Sequence, residues 1–515
     1  MKFIAALLWV VLTTILAYFA FTNHVGDFSI FWLFHAVFIL LPLLAILKPF
    51  YYSYLYLSGF LFLGFWLKYQ LHLLIQHAYI EPTGFFDFSS DGWDKVLLFS
   101  SVACSGLLVV RCLSLFFPAS SKPGRAADQS TSDQSPSFYS VYRTPIWMSS
   151  ILFFLMLQFL NYFVGFYQIG INPKILLPGY LFIPAAWLIS VGFSFWLAVL
   201  FYWELQFRKR ANLLLESTFF LESLITSVIA LSRSLYLFHG IPFLITRLVE
   251  RNAFSIPLRR FLILFIFFIA GFGASLVGAT KLRMINYFRP SLLSQKIATL
   301  PNEQTVHHDT EKTISTILTK DVAINEVNVQ PEWEELNSVY LRQSLQLVSE
   351  RWVGLEGMMA VTASKESGFP LFFSVCFEDP KLGNAAIYQT LAHSSYQASE
   401  RFTFLALPGI VAIFSMSNSL VIVFCGMAGV LSILLLSEWG ISKLLANPFL
   451  TSITMLSLVN ICCQLHFPYL LFVFFLQLWL FILAVFCLQN ELWKYMPFSF
   501  FSKLFRKVLP LKVNR

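Results

Sequence analysis

The sequence predicts an all-α fold, a polytopic bundle of membrane-spanning helices, about 12–14 in number, carrying one large extracytoplasmic loop domain. Three observations predict it. Of 515 residues 57% are hydrophobic and only 12% charged, too few charges to solvate a particle of 59.1 kDa. The mean hydropathy is +0.71. Uninterrupted apolar runs close to twenty residues long recur along most of the chain, the length a helix needs to cross a bilayer.

The candidate spans run 3–22, 29–47, 51–74, 96–117, 146–167, 179–203, 213–231, 234–248, 261–280, 402–417, 419–437, 449–465 and 468–489. The first begins like a signal peptide, with Lys2 ahead of an apolar stretch. It has no convincing small-x-small cleavage site and is followed by further spans, so it reads as an uncleaved helix. Residues 1–280 form an N-terminal transmembrane bundle, interrupted at 118–145 by a flexible cytoplasmic loop rich in Ser, Asp, Gln and Pro. Residues 281–401 form the extracytoplasmic loop domain, 402–490 the C-terminal helices and 491–515 a basic cytoplasmic tail.

Loop charge sets the orientation. Arg208, Lys209 and Arg210 follow one helix, Arg247, Arg251, Arg259 and Arg260 fill another connection, and Lys503, Arg506 and Lys507 mark the tail; these sides are expected to be cytoplasmic. Counting from a cytoplasmic N-terminus puts 281–401 outside but strands the tail there too. Thirteen spans cannot keep both ends inside, so one segment, expected among the last four or at 234–248, is not a crossing. The loop holds 14 of the 27 acids against 11 basic residues, a balance suited to the translocated side. Within it, 331–348 places Leu336, Val339, Tyr340 and Leu347 on one face of an amphipathic helix.

The net charge of +8 comes from basic residues lying between apolar runs, which orients a membrane protein rather than binding nucleic acid, and no nucleic-acid motif is present. Six of the seven Cys lie in or beside apolar runs, and no CxxC pair exists, so they read as packing residues. The sequence has no phosphate loop, HExxH or GxSxG motif. The stretch Gly273–Thr280 reads as small residues that permit close helix contact. The adjacent His307 and His308 suit solvent better than a shared metal, while His35, His72 and His466 read as buried hydrogen-bonding groups. No metal or cofactor is expected.

What remains is charge placed where charge is costly. Ser232, Arg233 and Ser234 interrupt the apolar stretch 213–248 at its expected outer end, shortly before His239; an Arg there must snorkel, pair or hold an anion. Glu216 and Glu222 on the preceding helix are structural partners as readily as functional groups. Arg351 to Gly357 (RWVGLEG) carries two glycines beside a Trp and precedes the apolar run from Met358, a pattern for a segment packed on the bundle. Arg351 and Glu356 could pair with each other, or serve a site.

The Ser232–Arg233 pair at a helix's outer end, one large late loop, and the Arg-containing motif at 351–357 resemble the O-antigen polymerases and O-antigen ligases, multispanning transferases of polyprenyl-linked oligosaccharides. The stretch 161–184 is similar to membrane proteins of polysaccharide gene neighbourhoods. The resemblance implies glycosyl transfer at the periplasmic face of a bacterial inner membrane, in cell-surface polysaccharide synthesis. Its expected partners are a polyprenyl (undecaprenyl) diphosphate-linked glycan, membrane lipids and other polysaccharide assembly proteins. It implies a cationic diphosphate site of Arg233, Arg351 and Arg401, whose planar forks match phosphate oxygens. It implies Glu356 as first candidate for the base that takes the acceptor's proton and His239 as the second. The ligase group's loop histidine has only His393 as a counterpart. Two other readings stay open: a polysaccharide or lipid-linked glycan transporter, and a membrane assembly component without catalysis.

Overall fold

The computed structural model describes residues 2–75, 79, 81–116, 136–170, 173–208, 212–250, 257–298, 352–395 and 405–492, with backbone alone for 2, 3, 5 and 284–298. The protein is a helical, multi-pass membrane bundle. Its first half comprises α1 (Lys2–Phe21), α2 (Phe28–Ala45), α3 (Tyr52–Leu61), a π-helical turn (Phe62–Leu67), α4 (Lys68–Ile75), α5 (Ser90–Phe116) and α6 (Ser137–Val164). Next come α7 (Gly179–Trp187), a second π turn (Leu188–Gly192), α8 (Phe193–Arg208), α9 (Leu213–Ile229), α10 (Arg233–Val249) and α11 (Leu258–Ala298). The remainder is α12 (Leu355–Ala363), α13 (Phe369–Cys376), α14 (Ile387–Leu391), α15 (Gly409–Ser415), α16 (Leu420–Leu445), α17 (Pro448–Cys463) and α18 (Pro468–Gln489).

Among the described residues, seven helices are long and apolar enough to cross a bilayer: α2, α5, α6, the α7–α8 helix, α11 through Arg283, α16 and α18. Two shorter apolar helices, Ala6–Phe21 and Pro448–Cys463, accompany them. Of the 12–14 spans expected, seven meet this criterion of length and composition, and hydropathy by itself does not separate a crossing from a short helix buried within a bundle. The clearest case is 402–417. There the chain forms only the seven-residue α15, about 10 Å long. Gly409 at φ +74° opens α15 and Asn418 at φ +52° follows it, so the run turns twice where a crossing would continue. The linker expected at 118–145 also ends sooner, since α6 begins at Ser137. Pro145 is accommodated inside α6 by a kink at Tyr142, one turn ahead of its ring.

The helix ends sort onto two faces. On one, the Glu491 carboxylate following α18 accepts from the Ser137 hydroxyl at the start of α6, so α18 ends at the face from which α6 departs. On that face Arg111 near the end of α5 donates to the carbonyls of Leu44, Leu47 and Pro49 at 3.2, 2.8 and 2.7 Å, satisfying acceptors that α2 leaves at its C-terminus. Glu438 of α16 accepts from the Tyr52 and Ser53 amides, each at 2.8 Å, and so caps the N-terminus of α3. Glu204 takes the Tyr139 hydroxyl at 2.6 Å and pairs with Arg143 at 3.0 Å and with Arg208. These cations make it the basic face, the one that the positive-inside rule turns to the cytoplasm. The opposite face carries 22–27, 81–89, 165–170, 173–178 and 352–395, and is termed the loop face.

Arg247 departs from its expected place in a loop. It lies buried in the last turn of α10 against the buried Glu216 of α9, and Arg260 of α11 holds the second carboxylate oxygen at 2.6 Å. The reason is register: α9, α10 and α11 pack on one another, and the end of α10 meets the start of the other two. Close approach elsewhere depends on a small residue, since a Cβ on Gly106 of α5 would sit 2.5 Å from the Phe424 carbonyl of α16. The tail beyond 492, residues 299–350, and the amphipathic helix expected at 331–348 lie outside the described residues, as do His307 and His308.

Replacing Glu216 with Ala leaves two guanidinium groups facing a carboxylate that is gone. Unfolding in mixed micelles should show a loss of about 3–5 kcal/mol, and combining Glu216→Met with Arg247→Met should recover most of it.

Candidate functional site

The RWVGLEG segment is locked to the bundle by its glycines. Gly64, inside the first π turn, lies so close to the Val353 carbonyl that a Cβ there would strike it. A Cβ on Gly354 would stand 2.6 Å from the Phe65 ring, and one on Gly357 would strike the Pro408 carbonyl. Hydrogen atoms in place of three side chains thus let the turn before α12 nest between the π turn and the loop leading to α15. Leu355, Met358, Met359 and Val361 are fully buried in the main core, as the apolar run after the motif leads one to expect.

This nesting delivers Glu356, in the first turn of α12, to Lys68, the residue that follows the π turn. Lys68 Nζ stands 2.5 Å from Glu356 Oε1, with the side chains 0% and 5% exposed. Each charge is the other's compensation for lost water. The π turn matters to the geometry because its wider i→i+5 winding re-aims the helix that carries Lys68. Around the pair lie α14 and the connection before α5. Burial first, then the charges of Glu356 and Glu81, push the Tyr388 phenol of α14 upward. Glu378 caps α14 by accepting from the Ile387 amide at 2.6 Å, and burial raises its carboxyl. In the α17–α18 connection, burial pushes His466 down to about 4, so it is a neutral ring at ordinary pH, beside Gln389 at 3.5 Å. Lys95 of α5 donates to the Thr362 carbonyl at 3.3 Å, holding the C-terminal end of α12.

His239 occupies a different cluster. Its Nδ1 is 3.0 and 3.1 Å from the two carboxylate oxygens of Glu222 on α9, and its Nε2 is 2.7 Å from the Ser190 carbonyl in the second π turn. Both ring nitrogens are thus engaged inside the bundle. Glu222 is thereby identified as its partner. An aromatic path separates the two clusters: Trp352 meets the Phe60 ring at 5.5 Å, and Phe60 stacks on Phe238, the neighbour of His239, at 6.1 Å.

Arg233 is the first residue of α10 and is half-buried at the loop face. The turn before it is tightly held: Leu231 has φ +56°, Ser227 donates to the Ser232 carbonyl at 2.7 Å, and Arg283 of α11 donates to the Leu231 and Ile169 carbonyls, each at 2.8 Å. Arg351 and Arg401 lie outside the described residues. His393 is exposed at the loop face, its ring 3.9 Å from that of Phe85. Among the described residues no group of three or more His, Cys, Asp or Glu is placed to hold a metal.

Sequence reasoning missed Lys68 and Tyr388. Lys68 had a signal, since it is the single Asp, Glu, Lys or Arg in the run 51–74 and an intramembrane charge is a functional candidate by default. Tyr388 had none, because its place depends on how the segment after α13 folds back.

No protein-family model, curated protein or solved structure matches this chain.

Adding one methyl group by Gly64→Ala or Gly357→Ala should dislodge the motif and lower the thermal midpoint in detergent by several degrees. Gly59→Ala on the same helix, where a Cβ meets nothing within 4 Å, should leave it unchanged or slightly raised.

Proposed function

We propose that the chain is a membrane glycosyltransferase of the O-antigen polymerase and ligase kind, acting on a polyprenyl diphosphate-linked oligosaccharide at the loop face, with that face periplasmic. The observation that supports the reading is the Lys68–Glu356 pair, a carboxylate and an ammonium buried together at the foot of the late loop. Such a pair costs several kcal/mol of desolvation per ion, and well-packed apolar residues would be cheaper if packing were all that mattered.

In the proposed reaction an acceptor hydroxyl oxygen attacks the anomeric carbon of the donor glycan as the bond from that carbon to the phosphate oxygen breaks. The polyprenyl diphosphate leaves with the electron pair, and the hydroxyl proton passes to a Glu356 carboxylate oxygen. Lys68 orients the Glu356 carboxylate, and Arg233, with Arg351 and Arg401 from the loop, neutralises the growing charge of the leaving diphosphate. His239 is withdrawn from the role of base, since its hydrogen bonds hold it within the bundle.

A second reading, a transporter of lipid-linked glycan, is favoured by one specific feature. Both π turns adjoin a buried charged pair, and interrupted helices beside buried charge are how many transporters build midplane sites.

The decisive comparison uses Glu356→Gln, Lys68→Met and the double variant, assayed with labelled lipid-linked glycan in proteoliposomes. The double variant removes both charges and should fold, so its loss of elongation by about 10²-fold or more would mark chemistry rather than stability. Normal polymer from the folded double variant would refute the enzyme. Movement of the glycan across the bilayer without elongation, in wild type, would favour the transporter.

A further inference from the structure

A chain of polar groups runs through the interior of the bundle and takes no part in the proposed transfer. Gln158 of α6 donates through its amide to the Thr226 hydroxyl at 3.1 Å, and Thr226 donates to Glu222 Oε1 at 3.0 Å. Glu222 meets Nδ1 of His239, whose Nε2 meets the Ser190 carbonyl. Gln158, Thr226, Glu222 and His239 are all buried. Ser190 lies in the π turn between α7 and α8, where the altered winding leaves a carbonyl to be satisfied from outside the helix.

The proton count follows from the acceptors. A carbonyl can only accept, so Nε2 must carry a hydrogen for the 2.7 Å contact with Ser190 to be attractive. A second proton must then lie between Nδ1 and Glu222, on the ring or on the carboxyl, or a lone pair would face a carboxylate at 3.0 Å. If that second proton is lost, the neutral ring can satisfy one neighbour only. With its hydrogen on Nδ1 it keeps Glu222 and abandons Ser190; with its hydrogen on Nε2 it repels Glu222. Either way one of the three elements is released.

We propose that Glu222 and His239 form a proton-binding site inside the membrane bundle, whose occupancy ties the π turn between α7 and α8 to α10. The ligand is a single proton. The site is connected to the loop face: the Tyr167 phenol lies beside the Ser190 side chain, and Asn161 of α6 holds the Tyr167 backbone on both sides at 2.9 Å. The same connection is fixed to the α9–α10 turn by the Ile169 amide on the Ala230 carbonyl at 2.9 Å. Among the described residues, the ionisable groups facing the His239 ring and its hydrogen-bonded neighbours are Glu222 from α9 and Tyr167 behind Ser190; α6 brings neutral Gln158, and α11 meets α10 here through Phe268. The sign is fixed by the count. Proton occupancy at lower pH holds the turn, and its loss as pH rises frees it.

Hydrogen exchange on the full-length protein in lipid nanodiscs, from about pH 5 to about pH 9 and normalised for the intrinsic rate, tests this directly. In wild type the amides of 188–193 should exchange roughly tenfold faster once the proton is lost, while those of α17 stay unchanged. In Glu222→Gln the new amide can donate to Nδ1 at any pH, leaving the Nε2 hydrogen on Ser190, so protection should persist throughout. In His239→Leu it should be absent throughout. A flat wild-type profile, a Glu222→Gln profile that follows the wild type, or an equal change in α17 would each overturn the proposal.

Discussion

The arrangement of the loop face depends on one constraint, that a lysine ammonium and a glutamate carboxylate have been taken out of water together. Neither is tolerable there alone. A helix bearing Lys68 would have to move its ammonium to solvent, and a segment bearing Glu356 could not remain in the core with Leu355 and Met358. The pair therefore fixes where the chain returning from the late loop must dock, and the three glycines supply the clearance that docking needs. Tyr388 lies within reach of the Glu356 charge, Glu378 caps the helix that bears it, and His466 meets the Tyr388 ring at 6.3 Å.

The same rule governs the other buried charges. Glu216 answers Arg247 and Arg260, Glu222 answers His239, Glu204 answers Arg143 and Arg208, and Arg111 and Glu438 answer the exposed ends of helices. The buried carboxylates among them lack water as an alternative partner, so their contacts across helices specify register rather than adding stability alone. The contacts of Glu216, Glu204, Arg111 and Glu438 stand on the basic face, whereas Glu222–His239, like Lys68–Glu356, lies beside a π turn. That distribution separates charges that organise the bundle from charges whose position invites chemistry or proton exchange.

The class of fold was readable because bilayer solvation imposes it on composition: 57% hydrophobic against 12% charged admits little else. The helices α9 and α10 were legible to within two residues, since Ser232 and Arg233 interrupt the run between them. The segment 402–417 was misread because a seven-residue helix walled in by protein and a bilayer span have the same hydropathy. Parity of the termini leaves the non-crossing segment among the last four runs or at 234–248, and 402–417 is one of those four. Of the site, Glu356 and the packing role of its glycines were visible as a motif, and Glu222 was visible as a structural partner as readily as a functional group. The identity of the partners was not, because Lys68 and Glu356 are 288 positions apart and only the docking of α12 on the π turn joins them.

The functional reading joins that anchor to the half-buried Arg233 at the rim of the same face, with the resemblance to polyprenyl-linked oligosaccharide transferases supplying the substrate class. Its central physical claim is the coupling of Lys68 to Glu356. A double-mutant cycle on unfolding free energy, with Lys68→Met and Glu356→Gln in one reconstituted background, measures that coupling most directly. An interaction of about 2–3 kcal/mol is predicted, whereas effects that simply add, within about 0.5 kcal/mol, would contradict the account.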